Sequence, residues 1–387
     1  GSMGPAPISP AHHARCTVVD LSTLPPTLLM STVAPARVRA ALLLTITVLA
    51  AAGPSRANAQ RAASPSAAAS TPDTVKLTEW TVPWEKTRPR DPSVDASGRV
   101  WFVGQEGNYV ARLDPRSGGF TRIEIDSGTF PHTVSIDDKG NAWYTGNRNG
   151  MIGRIDGRTG VITRYPMPDP AARDPHTIAF DNKGDLWFTL QNSNMLGHLV
   201  QSTGKVSLLT MTTPSSRPYG IVVDKSGRPW FNLFGTNKVG TVDPVSMRVR
   251  EYVLPDARAR GRRIALTSDG GVWYVDYSRG FLGRLDPVSG TVREYPMPGG
   301  AASLPYAMTV DDEDRLWFVE TGSQPNRLVG FDPRSQQFFS RVDLGPAAPN
   351  TVRHMVFDKA TRSIWFGSDR GTIGRAVVPK GTTRPIG

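Results

Sequence analysis

One cysteine, Cys16, is all that the 387 residues contain, and it lies in a segment that reads as a removable leader. The rest of the chain therefore offers no disulfide, no thiolate zinc site, no haem-attachment motif and no cysteine nucleophile. Histidine is also scarce, with six in total and four beyond residue 59. No apolar run reaches the roughly 20 residues that a membrane-spanning helix needs; the stretch Ala40 to Ala52 has 13. The densest basic cluster, Arg258 to Arg263, has no interleaved aromatics for stacking on bases, which argues against nucleic-acid binding.

What is present divides the chain in two. Arg37 and Arg39 precede the apolar stretch, Gly53-Pro54 ends it, and Ala57-Asn58-Ala59 offers small residues for cleavage before Gln60. This is the pattern of a secretory signal, with Met30 as its natural start, so a secreted or periplasmic location is expected and no membrane anchor after cleavage. Residues 1–59 are thus read as leader, 60–75 as a disordered linker rich in Ala, Ser and Pro, and 380–387 as a tail. The net charge of +11 falls to +8 once the leader is removed, a balance that favours anionic ligands or envelope polymers.

Between them, residues 76–379 are periodic. Seven of the nine tryptophans, Trp101, Trp143, Trp187, Trp230, Trp273, Trp317 and Trp365, are spaced by 42, 44, 43, 43, 44 and 48 residues. Each follows a short β-prone run and a turn of the Asp-x-x-Gly kind, as in Asp181-Asn182-Lys183-Gly184. That period, with abundant Gly (38) and Pro (33), predicts an all-β, seven-bladed β-propeller with four antiparallel strands per blade. The repeating Trp is expected to pack between blades. The N-terminal strand, Leu77 to Val82, is expected to complete the last blade and remove its free edge.

A propeller gathers equivalent positions around one axis. Five residues before each turn Asp (Thr267 stands in for it in blade 5) come Arg90, His132, His176, Tyr219, Arg262, Tyr306 and Arg353. All are polar at the head of otherwise apolar strands, which predicts a wet funnel for a small, anionic ligand. Three or four residues past the Trp come Gln105, Asn147, Gln191, Asp276, Glu320 and Asp369. The acidic members are read either as partners of the ring arginines or as a cation or proton-transfer site. His132 and His176 share a Pro-His-Thr phrase in successive blades, so they should meet, and histidine can take a proton from a carbon acid.

The phrase Pro-His-x-Ile-x-x-Asp-x-x-Gly-x-Leu-Trp-Phe-Thr, followed by Ile-Gly-Arg-Ile and Tyr-Pro-Met-Pro, resembles the repeat of the virginiamycin B lyase (streptogramin lyase) family in all seven blades. The resemblance implies elimination across the ester of a cyclic depsipeptide, with a funnel histidine as base, a second histidine one blade earlier, and acidic residues holding Mg²⁺. Carried onto this chain, it makes His176 the base and His132 its preceding-blade partner. Asp174, two residues before His176, and Gln191, past Trp187, take the metal-side positions, Gln191 being a neutral replacement. Two departures stand out. These are blades 2 and 3, where the lyases use their last two blades; and the last blade here carries Arg353 and Asp369 at the matching positions, with no histidine base.

The leading expectation is an exported lyase-like monomer in which Arg90, Tyr219, Arg262, Tyr306, Arg353 and Glu320 contact substrate. The alternative is a non-catalytic propeller that binds an anionic envelope ligand or a partner protein. A third reading is a metal-dependent sugar-lactone hydrolase built on Glu320, Asp276 and Asn232.

Overall fold

In a computed structural model, residues 75–381, 385 and 386 are described; the expected leader and nearly all of the linker lie outside the described residues. Twenty-eight strands form seven four-stranded antiparallel sheets. Six sheets take their strands in chain order. In the seventh, Lys76–Thr81 pairs with Thr372–Val377, next to the strands Ser363–Ser368 and Val352–Asp358. The first strand of the ring thus completes the last blade and satisfies an edge that would otherwise be open to pairing with another chain. No helix among the described residues is long and apolar enough to cross a membrane.

The repeating tryptophans act as wedges between blades. All seven are at most 2% exposed. Trp101 packs with Val134 and Tyr144 of blade 2, Trp143 with Ile178 and Phe188 of blade 3, and so on round to Trp365, which packs with Val100 and Phe102 of blade 1. Each interface therefore has its own apolar cluster, and no blade can bury its faces alone.

The turn residue does more than shape the hairpin. Asp95, Asp137, Asp224 and Asp311 each give one carboxylate oxygen to backbone N–H groups of the turn. The other oxygen accepts the indole N–H of the blade's tryptophan at 2.9–3.0 Å. In blade 5, Thr267 takes that place and accepts from Trp273 at 3.0 Å. A buried indole N–H without an acceptor is costly, so turn and wedge are tied together chemically as well as in sequence.

The innermost strands, Pro89–Val94, Pro131–Ile136, Pro175–Phe180, Pro218–Val223, Gly261–Leu266, Pro305–Val310 and Val352–Asp358, lie side by side around the axis. Every one of them has a register shift near its start. Such a bulge leaves residues unpaired and bends the strand. Two successive side chains per blade, rather than one, are thereby turned toward the centre.

Trp143→Ala should cost about 3–5 kcal/mol of stability through the cavity it leaves. Asp137→Ala should cost about 1–3 kcal/mol, because it leaves the Trp143 and Asn141 donors without an acceptor. Urea unfolding followed by circular dichroism reads both; equal midpoints for Asp137→Ala and wild type would count against the turn–wedge bond.

Candidate functional site

The seven ring positions converge. The rings of His132 and His176 are in contact, tilted by 34° with centroids 3.5 Å apart, His176 lies 4.4 Å from Tyr219, and the Tyr219 and Tyr306 hydroxyls share a hydrogen bond although they come from blades 4 and 6. Contacts between blades that are not neighbours are possible only at the axis. The expected wet funnel is, however, filled at this level: Arg90, His132, His176, Tyr219 and Tyr306 are each 6% exposed or less. Arg262 and Arg353 remain half-buried and form the accessible lip.

A second ring lies directly beneath, made by the residues that follow: Asp91, Thr133, Thr177, Gly220, Arg263, Ala307 and His354. Sequence reasoning missed it, because strict strand alternation sends neighbouring side chains to opposite faces and only the bulge overrides that. The available signal was a charged residue, Asp91, Arg263 or His354, inside a strand core. Asp91 of blade 1 and Arg263 of blade 5 meet across the axis at 3.2 Å, both almost fully buried. Thr133 donates to Asp91 at 2.8 Å, and Arg263 donates onward to the Arg353 carbonyl at 3.1 Å and to Thr177 at 3.3 Å. Asp91 itself sits at φ 47, a left-handed conformation that its buried partners hold in place.

Charges follow from this plug. Burial opposes ionisation of Asp91, yet Arg263, His354, Arg90 and the Thr133 hydroxyl outweigh it and hold its carboxyl below the ordinary range. Burial first, and then the surrounding guanidinium groups, drive His132 and His176 well below the ordinary imidazole value, and take His354 to about 4. All three are neutral at pH 7. The Thr133 hydroxyl has only acceptors in Asp91 and the His176 carbonyl. His132 Nδ1, 3.1 Å from that hydroxyl, must therefore be the donor, which leaves Nε2 bare. The Thr177 hydroxyl receives Arg263, so its hydrogen is free for His176 Nδ1 at 2.8 Å, and that assignment puts the His176 proton on Nε2.

The tyrosines are driven apart. Burial disfavours the Tyr306 phenolate, but Arg262, Arg90, Arg263 and Arg353 outweigh it and bring the phenol down to about 8. Tyr219 is pushed up to about 12 by burial and by its neighbour's charge. The two therefore form a hydrogen-bonded pair in which one member ionises readily and the other stays protonated.

Three of the four central arginines have carboxylate partners: Arg90 and Arg263 with Asp91, and Arg353 with Asp369 at 2.6 Å. Arg262 has no ion pair among the described residues, and its buried Nε has no hydrogen-bond partner. Its guanidinium carbon lies 4.0 Å from the Tyr306 ring, 4.1 Å from Tyr277 and 4.6 Å from Phe234. A caged, unpaired cation at the lip is a ready-made anion receptor.

The loop layer splits in two, which corrects the sequence reading. In blades 1, 4, 5 and 7 the residue four past the Trp faces the ring: Gln105 accepts from Arg90 at 2.9 Å, Asp369 holds Arg353, and Phe234 and Tyr277 cage Arg262. Residues three past it face away. Glu320 accepts from the Gly299 N–H at 2.6 Å, and burial raises its carboxyl. Asp276, fully buried, receives Arg279 and the Arg260 N–H. Glu320 thus has no place at the ring, and Glu320, Asp276 and Asn232 do not assemble the cluster that a lactone hydrolase would need.

The metal-side pair fails for a similar reason. Asp174 caps its own loop, accepting from the Asn192 N–H at 2.5 Å, the Ser193 N–H at 3.0 Å and the Ser193 hydroxyl at 2.6 Å. Gln191 is neutral, and both carboxylates near the axis are engaged by arginine. This donor set does not suit Mg²⁺, a hard cation that wants free carboxylate oxygen.

The chain matches the Virginiamycin B lyase family over residues 75–376. Among solved structures it is similar to virginiamycin B lyase from Staphylococcus aureus, at 24% identity and TM-score 0.71, over 79% of this chain and 100% of the other. A catalytically inactive histidine-to-alanine variant of that enzyme with quinupristin gives 25% identity and TM-score 0.72, with the same coverage. Hydrazine synthase of Kuenenia stuttgartiensis shares the fold alone, at 13% identity and TM-score 0.61, over 74% of this chain and 94% of the other. No curated protein sequence matches.

The histidines at the axis and Asp91 should make the fold acid-sensitive, with one sign. Each imidazole binds its proton more readily when unfolded, so its contribution is complete above about pH 6.5 and falls below it; for His354 the loss runs down to about pH 4. Asp91 adds a further loss below its unfolded value of about 3.9. His354→Phe should flatten the slope of the urea midpoint between pH 6.5 and 4. Asp91→Asn should cost about 3–5 kcal/mol at pH 7, since it leaves Arg263 buried and unpaired.

Proposed function

The chain belongs to the virginiamycin B lyase family, and on that footing we propose that it is a carbon–oxygen lyase whose substrate carries an anionic group. The observation that carries this reading is Arg262: a half-buried guanidinium caged by aromatics, without an ion pair among the described residues, at the lip of the ring. An anion seated there places the adjoining carbon over Tyr306 and Tyr219, not over His176.

The chemistry then follows. Tyr306, ionised above about pH 8, takes the proton from a carbon beside a carbonyl. The electron pair forms a C=C bond as the neighbouring C–O bond breaks, and the oxygen leaves as carboxylate. Arg262 and Arg353 stabilise the enolate-like charge that develops in between. Tyr219 donates its hydrogen bond to the Tyr306 oxygen and fixes its direction, while His176 and His132 back Tyr219 as neutral groups. No step is routed through a metal. The leader pattern supports an exported setting.

A second reading has one specific observation behind it. The last-blade position where the family resemblance places a histidine base carries Arg353, ion-paired to Asp369 at 2.6 Å. In that reading the ring only captures the anion.

Incubation with quinupristin and with a set of carboxylate-bearing lactones and depsipeptides, followed by mass spectrometry, separates the two. Elimination gives ring-opened product of unchanged mass; hydrolysis would add water. The lyase reading expects kcat/KM to rise with an apparent pKa near 8. Tyr306→Phe should lower kcat by about 10²–10⁴-fold, and Arg262→Gln should raise KM by about tenfold or more. Binding lost in Arg262→Gln with no substrate converted would select the receptor; full turnover in Tyr306→Phe would remove Tyr306 as base.

A further inference from the structure

Blade 3 departs from its siblings at one place far from the ring. In blades 1, 2 and 6, the residue four past the turn aspartate satisfies it: Arg99, Asn141 and Arg315 donate to the second oxygen of Asp95, Asp137 and Asp311 at 2.7–2.8 Å. Blade 3 has a second carboxylate there, Asp185. Opposite the tryptophan, blades 1, 2, 5 and 7 carry arginine (Arg112, Arg154, Arg284 and Arg375), within 6 Å of the indole ring. Blade 3 has His198, stacked on Trp187 at 4.2 Å. Imidazole stands in place of guanidinium, and an acid in place of a hydrogen-bond donor.

The exchange leaves ligand atoms free. Asp181 spends Oδ1 on the Lys183 and Asp185 N–H groups, and Asp185 spends Oδ1 on the Gln201 N–H at 2.9 Å. Each keeps its other oxygen. His198 Nε2 lies 4.0 Å from Asp181 Oδ2 and is buried without a hydrogen-bond partner. One ligand atom from each of the three residues lies within 4.8 Å of the other two. A second, independent sign comes from Trp187. It is fully buried and holds the register from which Trp101, Trp143, Trp230 and Trp317 donate to the turn aspartate, yet its indole N–H, like that of Trp365 in blade 7, has no acceptor. Asp181 and Asp185 also line a cavity of about 950 Å³ between blades 2 and 3.

We propose that Asp181, Asp185 and His198 form a binding site for a divalent transition-metal ion, its remaining coordination positions open to that cavity. One imidazole and two carboxylates suit Zn²⁺, Co²⁺ or Mn²⁺ better than an all-oxygen ion. A metal-bound water on the Trp187 side would accept the orphaned indole N–H. The carboxylates are held by backbone donors before the ion arrives, which is the preorganisation such a site needs.

The test uses the full chain after EDTA treatment and dialysis, titrated with ZnCl₂ by calorimetry and melted with and without the ion. Wild type should bind Zn²⁺ and gain thermal stability. Asp185→Asn and His198→Gln should each weaken that binding by about tenfold or more. Asp185→Asn introduces the residue that blade 2 carries at Asn141, so it should fold normally, as its melting without zinc would verify. His12 and His13 are present in every variant and cancel in the comparison. No zinc uptake by wild type, or equal affinity and stoichiometry in folded Asp185→Asn and His198→Gln, would overturn the site.

Discussion

A carboxylate from blade 1 and a guanidinium from blade 5 meet on the axis of this ring in direct contact at 3.2 Å. Asp91 and Arg263 would each be prohibitively costly to bury alone, and together they still require the hydroxyl of Thr133 and the carbonyl of Arg353 to complete their bonding. The pair closes the channel to a plug and gives the ring above it a floor. Burial first, and then the surrounding guanidinium groups, keep the histidines beside it neutral.

Four guanidinium groups around one axis need compensation, and the way it is distributed decides what the mouth can do. Asp91 serves two arginines and Asp369 serves a third. Arg262 is left with aromatic faces, which stabilise a cation without neutralising it. The unspent charge reappears as the lowered phenol of Tyr306. A neutral macrocycle uses little of this field, whereas a substrate with a carboxylate or phosphate uses all of it.

The repeat also gives the molecule an internal control. Of seven copies of one turn and one wedge, five provide an acceptor for the indole N–H, and in three the residue four past the turn aspartate donates to its second oxygen. Positions that break the pattern without repair are where a further use of the fold is to be sought. Thr267 is repaired, because its hydroxyl still accepts from Trp273. Trp187 and Trp365 are not, and in blade 3 the unpaired indole stacks on an imidazole, His198, whose Nε2 is also without a partner.

The sequence by itself determined the architecture, because a period in the forties carrying turn, strand and wedge residues admits one closed solution. It determined the blade closure by the first strand, the inter-blade role of the tryptophans and the membership of the upper ring, with His132 against His176. These are properties of spacing and pattern. The tertiary structure alone decided which side chains share a field. A bulge turned Asp91, Arg263 and His354 onto the axis, against the alternation that pattern reading assumes. Strand alternation, in contrast, sent Glu320 and Asp276 away from the ring, while Tyr277, next to Asp276, joined it. Loop hydrogen bonds took Asp174 out of use. Bulges and bonds of this kind depend on contacts between residues as much as 172 positions apart, and no local pattern encodes a partner at that distance.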